Sequence, residues 1–125
     1  MKTIINTPNA PAPIGPYSQA VLVNGTLYAS GQIAINPKSG GLILDNIEAE
    51  TTQVMANIEA VLAAANMNFG NIIKSSIFLS DMGSFAQVNE VYGRYFTGDF
   101  PARETVEVAC LPKNVNVEIS VVAVA

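Results

Sequence analysis

The sequence predicts an α+β domain, with two helices packed on one face of a mainly antiparallel sheet. Three observations carry that prediction. Segments of period two and period 3.6 follow one another as strands, helix, strand, helix and two strands. Asn24-Gly25 separates the β-rich runs "AVLV" and "TLYA", and this dipeptide tolerates the positive φ angles of a type I′ hairpin turn. The 125 residues show no repeat, no low-complexity stretch and no internal linker, so residues 1–125 are read as a single domain.

"TIIN" near the start is a short apolar run suited to an edge strand, and "TPNAPAPIGP", Thr7 to Pro16, is a proline-rich loop. The hairpin follows, then a second loop, "NPKSGG". Asp45-x-x-Glu48 has the spacing of a capping box. Behind it Val54, Ile58, Val61, Leu62 and Ala65 fall on one face of a first helix, which Asn66 to Asn71 ends. "IIKSSIFLS" reads as a strand partly buried on both faces. Ser84-x-x-Gln87 is placed to cap a second helix with the stripe Phe85, Val88, Tyr92, Tyr95 and Phe96, and "TGDFPA" breaks it.

The final segment, "RETVEVACLPKNVNVEISVVAVA", reads as two strands around a turn at Pro112 to Asn114. Alternation puts Val106, Val108 and Cys110 on one face of the first strand and Arg103, Thr105 and Glu107 on the other. On the second, Val115, Val117, Ile119 and Val121 oppose Asn116, Glu118 and Ser120. The two strands are read as pairing across that turn, and a register that unites the apolar faces also unites the polar ones. Arg103 and Glu118 are then expected on the same side of the sheet, with Glu104 on the other. Cys110 is expected in the core.

Composition narrows the function. Half the residues are hydrophobic and only 13% are charged, against an ordinary quarter. A small domain with so few charges is expected to bury surface against further copies of itself. The net charge is −4 with six scattered cations, which disfavours nucleic acid and membrane surfaces as partners. No apolar run approaches the roughly 18 residues of a spanning helix, and "MKTIINTPNAPAP" lacks the apolar core of a signal peptide. One cysteine permits no internal disulfide, and a cytoplasmic location is expected. There is no histidine. That excludes Ser-His-Asp and Cys-His systems and most transition-metal sites, and it leaves carboxylates, arginine, tyrosine, hydroxyls and water to do any chemistry.

Two groups stand out within those limits. Arg103, one of two arginines, offers a planar fork that can bind a carboxylate bidentately, set against the plainer reading of a solvated strand-end charge. Glu118 interrupts a valine-rich strand; it is either an exposed glutamate on a wet face or a group that holds or activates water. Tyr17 in "GPYSQA", Ser30 and Gly31 in "ASGQI", and Asn89 on the second helix are each weak signals alone.

Together, "GPYSQA", "SGQI", "VNEVYGRYF" and "FPARETVEVACLPKNVNVEI" resemble, in order and approximate spacing, the reactive intermediate deaminase (Rid) family, over nearly the whole chain. The similarity is closest to the branch that hydrolyses 2-imino acids. It implies a chorismate-mutase-like fold assembled as a homotrimer around a central barrel, with clefts between subunits. It also implies hydrolysis of 2-iminobutanoate and 2-iminopropanoate to 2-oxo acids and ammonia, with no metal and no organic cofactor. By the same resemblance Arg103 binds the substrate carboxylate and Glu118 lies near the imine and the attacking water. Tyr17, Ser30, Gly31 and Asn89 line the cleft, and Thr105, which stands where some members have cysteine, helps to hold the ligand through its backbone groups. Glu104 replaces a residue that is often serine, Cys110 one that is often arginine, and the interval from the second helix to Arg103 is shorter than in some members. Two other readings are kept open: a non-catalytic trimer that binds small carboxylates or partner proteins, and a ribonuclease, against which the acidic balance and the missing histidine weigh.

Overall fold

A computed structural model describes all 125 residues. The strands are β1 (Thr3–Ile5), β2 (Ala20–Val23), β3 (Thr26–Ala29), β4 (Ile72–Leu79), β5 (Ala102–Glu107) and β6 (Val117–Val124); the helices are α1 (Ile47–Ala64) and α2 (Phe85–Gly93). They form one six-stranded sheet in the order β1-β2-β3-β6-β4-β5. Every neighbouring pair is antiparallel except β4 and β5, which run parallel with α2 as their crossover. No helix is long and apolar enough to cross a membrane.

Local chemistry explains most of the elements. Asn24 (φ 51°) and Gly25 (φ 78°) turn β2 into β3 with Val23 opposite Thr26, as a two-residue hairpin requires. α1 ends where Asn66 enters the left-handed region at φ 59°. Two caps differ from the sequence reading. Asn46, not Asp45, caps α1, its side-chain oxygen accepting from the Ala49 amide at 2.8 Å, because the helix starts at Ile47. Ser84 makes no side-chain cap: a 3-10 turn at Met82–Ser84 runs straight into α2, and Asp81 caps that turn instead through the Gly83 amide.

Both helices cover one face of the sheet. Val54, Met55, Ile58, Val61 and Leu62 of α1 and Val88 and Tyr92 of α2 pack with Leu27, Ile77, Leu79, Val117, Ile119, Val121 and Ala123. Each such aliphatic side chain contributes about 1.5–3 kcal/mol on burial. The opposite face carries exposed Ile4, Tyr28 and Val106.

The last two strands are not neighbours, contrary to the direct pairing expected from sequence. β4 lies between them. Ser75 pairs with Arg103 on one side and with Val121 on the other; Phe78 pairs with Val106 and with Glu118. Partners across a sheet share a face, so Arg103 and Thr105 lie on the helix-covered face and Glu118 on the open one. The expectation that Arg103 and Glu118 share a side is therefore corrected. Alternation along each strand held; the adjacency did not, because Ile77 and Leu79 of the central β4 fill the core beside β6 and leave β5 at an exposed edge. Glu104 does lie opposite to Arg103, as alternation predicted, and so on the same face as Glu118. Cys110 is exposed rather than in the core: alternation groups it with Val106, and that face of β5 is the open one and not the helix-covered one; β5 has also ended by Glu107.

Candidate functional site

The predicted residues gather in two places. Around Glu118 lies a cleft of about 340 Å³, lined by Tyr17, Ser30 and Gly31 and walled by apolar groups that include Ile14, Ile33 and Pro112. That volume is at the low end for a small-molecule site. The cleft owes its shape to Gln19, which is buried. Its amide accepts from the Thr7 backbone N–H at 2.7 Å and donates to the carbonyls of Thr7 and Pro11 at 3.0 Å and of Ala10 at 3.3 Å. One side chain thus folds the proline-rich loop back over β2. The Ser30 hydroxyl is spent on the same loop, donating to the Ser18 carbonyl at 2.6 Å. Tyr17 Oη accepts from the Ile14 amide at 3.3 Å and its ring stays half exposed.

Gly31 is present for reasons of space. A Cβ there would lie 2.5 Å from Glu118 Oε2 and 2.9 Å from Cδ, so the carboxylate rests on the glycine backbone. The next residue, Gln32, exchanges two backbone hydrogen bonds with Ile119, at 2.8 and 3.1 Å, which holds the two segments in register. Glu118 takes part in none of the chain's ion pairs. Burial pushes its pKa above the ordinary carboxylate range. A carboxylate with a raised pKa is a stronger base than an exposed glutamate.

The second place is the edge formed by α2 and β5. Arg103 Nη1 donates to Asn89 Oδ1 at 2.5 Å, and the guanidinium lies 5.3 Å from the Tyr92 ring centroid and 5.7 Å from that of Phe85. Two aromatic faces and one amide hold the cation without neutralising it. Arg94, by contrast, is paired with Glu48 and Glu90 at 3.0 Å each. Tyr92 is itself fixed by donating to Ser75 Oγ at 2.9 Å. Burial raises the Tyr92 pKa, with the Ser75 bond and the Arg103 charge opposing. Thr105, two residues from Arg103 on the same face, has a buried hydroxyl with no partner. Arg103 keeps donors free for a carboxylate.

Glu104 is engaged elsewhere. It pairs with Lys74 at 2.9 Å and accepts from the Ser76 hydroxyl on the open face, and these contacts, the serine bond foremost, lower its pKa. It does not compensate Arg103. No group of three or more His, Cys, Asp or Glu residues comes together anywhere in the chain. Sequence reasoning missed Gln19 and the aromatic support of Arg103. The signals available were a glutamine at the start of an apolar strand and, in Phe85 and Tyr92, two aromatics seven residues apart on one helix.

A family profile described as "Endoribonuclease L-PSP" matches residues 7–125. A protein from Bos taurus named 2-iminobutanoate/2-iminopropanoate deaminase is 47% identical over 124 residues, covering 99% of this chain and 90% of that one. The chain belongs to the L-PSP, or Rid, family. Other Rid-family relatives bear different names. A "Putative regulator AldR" of Lactococcus lactis is 51% identical over 120 residues, with 96% of this chain and 95% of the relative covered. The crystal structure of a Rid-family protein of unknown function from Yersinia pestis superimposes with a TM-score of 0.97, at 52% identity over the full length of both chains. The single sheet with two helices is thus the Rid fold.

Proposed function

We propose that the protein hydrolyses small 2-imino acids and their enamine tautomers, 2-iminobutanoate and 2-iminopropanoate among them, to 2-oxo acids and ammonia. It does so in clefts between the subunits of a homotrimer. One observation carries this reading: within one chain the unneutralised cation and the proton-accepting carboxylate lie on opposite faces of the sheet. A site using both needs Arg103, Asn89 and Thr105 from one subunit and Glu118, Tyr17, Ser30 and Gly31 from its neighbour. The exposed edge β5 and the uncovered apolar residues of the open face supply surface for that contact. The relatives named deaminases support the chemistry.

In the proposed reaction Arg103 binds the carboxylate and so orients the C=N bond. Glu118 accepts a proton as a water oxygen bonds to the imine carbon; the C=N π pair moves to nitrogen, which takes up a proton. The proton that nitrogen takes up is the one Glu118 accepted; the carboxylate then takes the hydroxyl proton of the carbinolamine and passes it to the amino nitrogen, so the C–N bond breaks with its electron pair going to nitrogen, ammonia leaves and the C=O bond forms. An amino-acid dehydratase or oxidase generating the imine beside the protein tests the reading. Faster imine decay with wild type and not with Arg103→Ala is the expected result; decay unchanged by wild type overturns it. The relative named as a regulator favours a second reading, a trimer that binds 2-oxo acids without turnover. Calorimetric binding with no effect on imine decay would select it.

A further inference from the structure

α1 contributes no side chain to the cleft, yet it buries three polar side chains that the proposed chemistry does not use, Glu50, Thr51 and Asn57; the Thr51 hydroxyl has no partner, whereas the other two reach the cleft walls. Glu50 is fully buried. Its Oε2 accepts from the backbone amides of Asn116 at 2.8 Å and Val117 at 3.0 Å, and its Oε1 from Asn116 Nδ2 at 2.7 Å. Asn57, seven residues on and also buried, donates from Nδ2 to the carbonyls of Ile33 and Ile35, both at 3.0 Å. Gln53 braces it by donating to Asn57 Oδ1 at 2.9 Å. Seven residues are two helical turns, so the two groups lie on one stripe. A buried carboxylate is tolerated only where donors satisfy it, and the three donors that satisfy Glu50 all belong to the residues just before Glu118. Asn57 holds the segment whose Ile33 and Ile35 line the cleft and which follows Gly31 directly.

We propose that Glu50 and Asn57 are positioning residues that set the two walls of the cleft from behind the sheet. Glu50 fixes the start of the strand bearing Glu118, and Asn57 fixes the 33–35 segment. Between the two anchors the backbone exchange of Gln32 with Ile119 carries the register, and the outcome is the close seat of the Glu118 carboxylate on Gly31. Arg103 lies outside this clamp, on β5. The clamp therefore governs placement of the proton-accepting group and not capture of the substrate carboxylate. The kinetic part of the test rests on the deaminase reading above.

The test compares wild type with Glu50→Ala, Glu50→Gln and Glu50→Asp, well below each variant's melting temperature, by kinetics on 2-iminobutanoate and by backbone amide exchange. Glu50→Ala should lower kcat at least tenfold with KM within threefold. Glu50→Gln should restore kcat to within threefold, since its carbonyl oxygen can accept both backbone amides while the Asn116 amide turns over. Glu50→Asp, which keeps the charge but withdraws the oxygens by one carbon, should lower kcat at least threefold, and it carries the test if the alanine variant does not fold. Amide protection at Gln32 and Ile119, which Glu50 does not touch, should fall by more than that at Val121 and Ala123. Wild-type kcat in folded Glu50→Ala or Glu50→Asp, or a glutamine variant as impaired as alanine, overturns the proposal. So does exchange that rises uniformly along β6, which marks a purely global contribution to stability. If wild type has no deaminase activity the functional reading fails, and the exchange pattern alone decides the clamp.

Discussion

Glu118 lies half-buried at the foot of a walled cleft, whereas Arg103 lies on an edge strand whose residues are almost all exposed. The first is held by backbone: Gly31 beneath it, the Gln32–Ile119 exchange beside it, and a loop tied down by Gln19. The second is held by side chains alone, one amide and two aromatic rings. Their electrostatics differ in the same way. Desolvation raises the pKa of the carboxylate, while the guanidinium has no ion-pair partner. The contrast suits a division of labour in which a rigid, partly dry group handles a proton and an accessible cation collects an anion. It also places the two on opposite faces of a single chain.

The largest expected effect concerns whether the two halves work across chains. Arg103→Ala and Glu118→Ala should each lose about a hundredfold or more in kcat/KM, given the worth of a charge-assisted bidentate contact and of a positioned base. Refolded together in equal amounts, they should recover about a quarter of wild-type activity, because one interface in four of a random cyclic trimer pairs the two intact halves. A mixture as inactive as its components would place the whole site within one chain.

Glu118→Gln sharpens the difference in solvation. Wild-type activity should rise with pH through an apparent pKa above the ordinary carboxylate range, and the variant should lack that limb. The sign for stability runs the other way. A carboxyl whose pKa is raised on folding stabilises the native state at low pH, and that contribution is lost as pH rises through the folded value. Thermal melts should therefore show the glutamine variant gaining on wild type as pH rises from below the ordinary carboxylate range to above the raised value; an unchanged difference would mean that Glu118 is not desolvated.

Gly31→Ala probes the backbone seat. The added carbon collides with the carboxylate and not with the core, so activity should fall by about tenfold while the variant stays folded, a close contact that one methyl group is enough to disturb. For the side-chain-held half, Phe85→Leu removes one ring from beneath Arg103 and should raise KM by about threefold, the scale of an exposed cation–π contact. Glu104→Ser should change activity by less than about twofold, since its ion pair is exposed and faces away from Arg103. A large effect there would show that the open face around Lys74 and Ser76 does participate in the site.

Much of this arrangement was legible in one dimension. The hairpin at Asn24-Gly25, the apolar stripe of α1, the separation of Arg103 from Glu104 and the oddity of a glutamate among valines all follow from periodicity and turn chemistry. These are properties of residues a few positions apart. The resemblance carried by "GPYSQA" and "FPARETVEVACLPKNVNVEI" pointed to the family that the comparisons establish. The α1 cap falls to Asn46 because Asp45 and Asn46 are both competent and only the first helical residue decides between them, and the Ser84 cap is lost because a 3-10 turn leads straight into α2. Cys110 escapes the core because the valine-bearing face of β5 is the open one, which alternation along a single strand does not reveal.

What the sequence determined by itself is the face each residue takes within its own strand or helix, since that depends only on local backbone geometry. Which strands become neighbours was decided by tertiary structure. The α2 crossover lays β5 parallel to β4, and β4 enters between the last two strands because its apolar side chains complete the core beside β6. That insertion puts Arg103 and Glu118 on opposite faces. Burial of the Glu118 carboxylate, the aromatic support of Arg103 and the anchoring of Asn116 by a glutamate 66 positions earlier likewise depend on which surfaces meet, and no local pattern encodes that.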